Sequence, residues 1–272
     1  MKAYLMTRGT LRRMDYDFLG ETPPDRWWER IADGGWIMQD YPEVAVAGHG
    51  GRTGIMASGL PSRRRDVIRT ELRYTLVITD AHDEPDLALR LVAALLTPTG
   101  QATLGALLDE QFDVRTVDTL LGGGTADIDI PARLDTILRD WNPPLEDRDG
   151  DDLHGSWAGR LDDPTGRAAF LGRVRRLLDD TAGLAFTSHS VSTISGAERA
   201  RHGLGETVAI LLADSDTVDE VQPLGKAPAP SPTGLSPSTT RLRHLRVRPL
   251  PTLVTATAST LALAIWWWIG SR

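Results

Sequence analysis

Two short polar clusters in this 272-residue chain carry residue types able to hold an anion. The first is Gly48-His49-Gly50-Gly51-Arg52-Thr53-Gly54. Glycines allow several backbone N–H groups to converge on one negative group, and His49 and Arg52 would add positive charge. The string lacks the lysine and spacing of a P-loop and does not pass from a strand into a helix. A glycine-rich hairpin loop accounts for the same residues. The second cluster is Ser188-His189-Ser190, directly after an apolar run ending at Thr187. In parallel sheets, ligands bind beyond the carboxyl ends of strands, close to helix N-termini that favour anions. Ser188, His189 and Ser190 would then meet a phosphate or nucleotide; the other reading is ordinary loop polarity. No Gly-x-Ser-x-Gly elbow surrounds either serine, so neither is expected as a nucleophile.

Other candidates are weaker. Glu146-Asp147-Arg148-Asp149-Gly150-Asp151-Asp152, followed by His154, suggests calcium on first reading. Counted from Asp147, an EF-hand needs Gly at the sixth place and Glu at the twelfth, where Asp152 and Ala158 stand. A solvated acidic loop is the expectation. Gly122-Gly123-Gly124-Thr125, with Asp127 and Asp129, could admit a phosphate or form a mobile turn. His82, His202 and His244 have no ligand-spaced partner, and the absence of cysteine removes disulfides and thiolate metal sites. The sequence thus points to no catalytic residue and no metal site, and it specifies no cofactor.

The elements that must position these clusters can be read from periodicity. Residues 2 to 19 read as a hairpin turning at Arg8-Gly9, followed by a short helix that carries Trp27, Trp28 and Ile31 and stops at Gly34-Gly35. Val44 to Ala47, Gly54 to Ala57 and Leu72 to Thr79 read as strands, the last rich in β-branched and aromatic residues. Helical spacing follows: Leu87, Leu91, Ala94 and Leu95, then Leu104, Leu107 and Leu108, then a helix at 131 to 141. The clearest helix covers 164 to 180, capped by Asp163 and opened by Pro164, with Phe170, Val174, Leu177 and Leu178 on one face. Leu184 to Thr187 and Val208 to Ala213 read as apolar strands joined by a two-turn helix that a Ser195–Glu198 capping box opens, a βαβ unit with a parallel pair. The fold class expected is α+β: an N-terminal, mostly antiparallel sheet, a helical middle and a C-terminal βαβ unit. The body would cover residues 1–222, with a subdomain boundary near 80–100 if it divides.

Beyond the body, residues 223–249 are rich in Pro and Ser and read as a semi-extended linker. Residues 250–269 (LPTLVTATASTLALAIWWWI) contain no charge. About 19 helical residues reach ~28 Å, close to the hydrocarbon thickness of a bilayer. Trp266, Trp267 and Trp268 stand at the far end, where indoles favour the headgroup interface. Arg241, Arg243, Arg246 and Arg248 precede the run and Arg272 follows it, so the positive-inside rule keeps the N-terminal body in the cytoplasm. The expectation is a single C-terminal anchor in the cytoplasmic membrane, with a buried core helix as the alternative because five hydroxyl residues interrupt the apolar run. Small residues at Thr252, Ala256, Thr260 and Ala264 would let two such helices approach and the chain self-associate.

Charge narrows the partners. Residues 1–222 hold 24 basic and 37 acidic side chains, a net −13, whereas residues 223–272 carry six basic and no acidic ones. An acidic body repels phosphate backbones, which argues against nucleic acid as a partner. The layout resembles that of membrane-associated components of bacterial signalling or anti-phage defence systems. It implies a membrane-tethered binding or effector module that recognises a protein or a small anionic ligand. Two alternatives stand beside it: an enzyme or sensor acting on a nucleotide or phosphorylated ligand at the 187–196 corner, and a scaffold that docks partners through exposed Trp27, Trp28 and Trp36.

Overall fold

A computed structural model describes residues 1–11, 15–143, 150, 152–215 and 217–225. The expected span at 250–269, with Trp266, Trp267 and Trp268, and the flanking Arg246 and Arg248 lie outside the described residues, as does most of the linker. No single helix among the described residues is long and apolar enough to cross a membrane.

Nine strands form one mixed sheet: β1 (Lys2–Thr7), β2 (Asp17–Phe18), β3 (Val44–His49), β4 (Arg52–Arg65), β5 (Glu71–Thr79), β6 (Trp157–Arg160), β7 (Gly183–Ser188), β8 (Val208–Leu212) and β9 (Gln222–Pro223). Their order is β2-β1-β5-β4-β3-β7-β8-β6-β9. Pairing is antiparallel from β2 through β7, parallel from β7 through β8 to β6, and antiparallel again at β9. Among the described residues, seven α-helices accompany the sheet: α1 (Glu29–Asp33), α2 (Pro85–Leu95), α3 (Pro98–Gln111), α4 (Val114–Leu121), α5 (Ile130–Trp141), α6 (Pro164–Leu178) and α7 (Ile194–Leu204). The antiparallel N-terminal sheet and the β7-α7-β8 crossover follow the sequence reading.

The pleat divides the core in two. Leu76 and Ile78 of β5 join a cluster with residues of α2, α3, α5 and α6, while Val77 between them joins a second cluster with residues of α1 and α7. The two crossovers, β6-α6-β7 and β7-α7-β8, run in opposite directions along the sheet. A common right-handed sense therefore puts α6 and α7 on opposite faces, as the two clusters require. Thr97, Asp113, Asp129, Asp163 and Thr193 each cap a helix by accepting a backbone N–H of its first turn. Each such cap is worth about 1 kcal/mol.

Four local readings need correction. The α7 cap is Thr193, two residues before the expected Ser195, because an extended Thr193 brings its hydroxyl to the N–H of Gly196 at 3.1 Å. Asp129, grouped above with a glycine turn, caps α5 through the N–H of Ala132 at 3.0 Å. Asp152, read as part of a solvated loop, is buried between Arg173 and Arg176 at 2.8 and 2.6 Å. Trp28 is 2% exposed, packed edge-on to Phe18 and Trp27, so it forms core instead of a docking surface. The expected strand at 54–57 also extends to Arg65: Gly59, at φ +62°, provides the irregularity that carries β4 past Ala57.

Candidate functional site

The two predicted clusters stand at opposite ends of the sheet. Gly48–Arg52 is the β3–β4 hairpin, where His49 pairs with Arg52 across a turn of Gly50 (φ +57°) and Gly51 (φ +76°). Two consecutive positive-φ residues make the tight turn that suits the twist of an antiparallel hairpin, which is the conformational reason for Gly-Gly here. Gly48 faces Gly183 at the start of β7, whereas Ser188 lies at the end of β7. The structure does not bring His49, Gly50, Gly51 and Arg52 together with Ser188, His189 and Ser190.

At the Ser188 end, β3 decides the outcome. Because β3 runs antiparallel to β7, the loop that enters β3, residues 34–43, folds over the carboxyl end of β7. The Ser188 hydroxyl donates to the carbonyl of Trp36 at 2.6 Å, and its oxygen accepts the N–H of Val191 at 3.0 Å. Ser190 donates to the carbonyl of Gly35 at 2.7 Å. Glu43, 1% exposed, accepts the N–H of His189 at 2.7 Å and also that of Met38. His189 lies with its Nδ1 3.4 Å from the Glu43 carboxylate and its ring 5.1 Å from that of Tyr41. Asp40 in the same loop accepts the Tyr16 hydroxyl at 2.9 Å, and burial, reinforced by that bond, holds the phenol protonated well above its usual range. The two hydroxyls expected to face a ligand are thus engaged in holding a loop. A sequence offers no sign that β3 neighbours β7, so this closure could not be foreseen.

Comparison with protein-family models, characterised proteins and solved structures finds no match for this chain. Geometry alone therefore ranks the sites.

At the hairpin end the surface is open. A groove of about 320 Å³ is walled by Trp27, His49, Arg52, Gly54, Asp25 and Asp80, among others. Trp27 lies against Gly54 so closely that a Cβ there would come within 2.3 Å of the indole Nε1, and only a glycine accommodates the ring. That Nε1 is buried and has no acceptor. An unpaired buried donor costs about 1–3 kcal/mol. The side chains of His49 and Arg52 are exposed and have no hydrogen-bond or ion-pair partner among the described residues. Thr53 below them is fixed: its hydroxyl donates to the carbonyl of Leu177 at 2.8 Å and its N–H to His82 Nδ1 at 3.3 Å. The floor is rigid and the rim carries free charges of both signs. Sequence reading found His49, Gly50 and Arg52 and named Trp27 only as a protein-docking residue; it missed Asp25, beside Trp27 in the loop before α1, and Asp80, at the end of β5, because no motif joins these segments. Among the described residues, no group of three or more His, Asp or Glu side chains is gathered as a metal ion would need.

Proposed function

We propose that this chain is a non-enzymatic binding module, tethered to the cytoplasmic face of a membrane by residues 250–269, and that its body receives a small ligand in the Trp27 groove. The observation that carries the ligand reading is a groove whose rim holds exposed Arg52 and His49 with no side-chain partner among the described residues. Arg52 and His49 suit an anionic group. Asp25 and Asp80 on the same rim suit a hydrogen-donating or cationic group elsewhere on the ligand. The layout, with its basic flank and uncharged segment, supports a role as a sensing or effector component of a bacterial signalling or anti-phage defence system, with a protein partner or self-association downstream.

Thermal unfolding of residues 1–227 with inorganic phosphate, mononucleotides and amino acids tests the groove. A ligand at ~100 times its Kd adds about 2.7 kcal/mol. For a body of this size that raises Tm by roughly 5–10 °C. Arg52→Ala should abolish the rise; an equal rise in that variant, or no rise with any compound, refutes the groove. The tether predicts that the full chain resists both high-salt and alkaline extraction from membranes, while residues 1–249 do not. Full chain released by either wash would sink it.

A second reading has one observation in its favour. His189 beside the buried Glu43 has the arrangement of a base and its orienting carboxylate. If the 187–196 corner acts on a nucleotide or phosphorylated ligand, His189→Ala removes turnover and leaves Tm within about 3 °C of wild type, as the loss of ~1 kcal/mol would.

A further inference from the structure

The β4–β5 hairpin ends in an apolar tip surrounded by arginines. Val67 and Ile68, at its apex, are 61% and 58% exposed, although both are β-branched aliphatics. The tip is not a frayed loop. The Asp66 carboxylate accepts the N–H groups of Ile68 and Thr70 at 3.0 and 2.8 Å and forms an ion pair with Arg8. The backbone closes with Asp66 N–H to Thr70 O at 3.0 Å and Arg69 N–H to Asp66 O at 2.9 Å. Val67 also donates its N–H to the carbonyl of Thr10 at 3.1 Å, which sets Leu11, 39% exposed, beside it. Thr10 is held in turn by Asp118 of α4. One turn before Asp118 on that helix stands Val114, 44% exposed. Four of the six large hydrophobic side chains that the described residues expose therefore belong to segments joined at this end of the sheet.

Charge here opposes that of the body. Residues 63–73 hold five arginines against one Asp and one Glu, in a body of net −13. Arg64 is buried, stacked 4.5 Å from the Tyr74 ring and bound to Thr7, and braces the base of the hairpin. Arg63 and Arg65 point out, 73% and 57% exposed, and their surface ion pairs, with Asp109 at 3.4 Å and with Glu71 at 3.0 Å, leave most of each guanidinium open to solvent. Arg69 has no partner for its guanidinium among the described residues.

We propose that this tip docks on an anionic lipid bilayer: Val67, Ile68 and Leu11 enter the boundary between headgroups and acyl chains, and Arg63, Arg65 and Arg69 meet lipid phosphates. Val67, Ile68 and Leu11 together are too small for a stable protein interface, which needs ~800 Å² from each partner. A bilayer demands less area, because apolar insertion and each nearby basic residue act together. The acidic remainder of the body would be repelled by such a surface, so the tip alone makes contact. The inference adds a second membrane contact to the tether proposed above but does not need that tether.

The test therefore omits residues 228–272. Both hydrophobic clusters of the described residues lie within residues 3–224, so residues 1–227 keep them whole. Residues 1–227 should co-sediment with phosphatidylglycerol-rich vesicles, bind phosphatidylcholine vesicles at least tenfold more weakly, and be released by salt. Val67→Glu with Ile68→Glu should weaken vesicle binding at least tenfold. Replacing Arg63, Arg65 and Arg69 by Ala should weaken it roughly a hundredfold. Both variants should melt close to wild type, because the side chains removed are exposed and the two surface ion pairs lost with Arg63 and Arg65 are worth little. Absence of vesicle binding, equal binding by the variants, or a tip that mediates self-association in sedimentation velocity and not lipid binding would each overturn the proposal. Extraction of the full chain tests the tether separately, since a docked tip is released by salt and a spanning helix is not.

Discussion

Replacing Glu43 by Ala distinguishes a corner built to hold a loop from one built to do chemistry. The carboxylate is 1% exposed and accepts two backbone N–H groups, from His189 at 2.7 Å and from Met38. Alanine would leave both part-buried donors without an acceptor, at about 1–3 kcal/mol each, so we expect a loss of about 4 kcal/mol. At ~2–4 °C per kcal/mol for a body of this length, Tm should fall by roughly 8–16 °C. Gln keeps the shape and one acceptor oxygen but turns an NH2 toward a second donor, so its cost should be about half. His189→Ala keeps the backbone bond to Glu43 and loses only the ring contacts with Glu43 and Tyr41, at about 1 kcal/mol. Thermal and urea unfolding of residues 1–227 measure all three. A Glu43→Ala protein melting within ~2 °C of wild type would refute the claim that this carboxylate pins residues 34–43 over the end of β7.

Three other expectations follow from single contacts. Gly59→Ala forces a side chain into positive φ and puts its Cβ 2.1 Å from the Tyr41 backbone, so it should cost at least ~3 kcal/mol or prevent folding, read as soluble yield and urea midpoint. Asp152→Ala strands Arg173, 3% exposed, without its carboxylate and should cost about 3–5 kcal/mol by urea unfolding; Arg176, 41% exposed, should matter far less. Asp66 is held below the usual carboxylate value: burial pushes it up, but the N–H groups of Thr70 and Ile68 and the charge of Arg8 more than offset that. Its stabilising effect is thus complete above the unfolded value of 3.8 and fades as pH falls through the lower folded value, so the Tm gap between wild type and Asp66→Asn should close between pH 5 and the acid limit of folding.

Elements with strong periodicity were legible because local pattern and tertiary role coincide. The α6 stripe of Phe170, Val174, Leu177 and Leu178 is buried as its spacing requires, and β7 and β8 pair in parallel as two apolar runs around a helix should. What escaped was set by neighbours. β6 is four residues long, too short for a pattern, yet its Trp157 is fully buried beside β8. The strand read at 54–57 stops short of the second half of β4, which holds Gly59 and Pro61 and is a strand because β5 pairs with it through to Glu71. Asp152 looks solvated in sequence and is buried because Arg173 and Arg176 receive it, and Arg64 is buried because Tyr74 and Thr7 do. The Gly48–Arg52 string was visible, but its other wall at Trp27 depends on a contact with Gly54 that no spacing encodes.

The groove and the tip share one strand, and this fixes a relation between them. β4, 14 residues long, begins at Arg52 in the groove wall and ends at Arg65 below the tip. β5 pairs along that path with fewer residues, the irregularities near Gly59 and Pro61 taking up the extra residues of β4, so at ~3.3 Å per residue the two lie roughly 30 Å apart. β5 returns along the same path, from Glu71 at the tip to Thr79 in the groove wall. A body resting on its tip therefore holds the groove on its far side, clear of lipid, because a paired strand does not fold back on itself. Ligand binding and vesicle docking should then be independent: saturating vesicles should change the affinity for a groove ligand by less than about twofold, below ~0.4 kcal/mol of coupling. Titration calorimetry with and without phosphatidylglycerol-rich vesicles measures this. Competition between the two would mean that lipid reaches the groove, and the end-to-end arrangement along β4 would have to be abandoned.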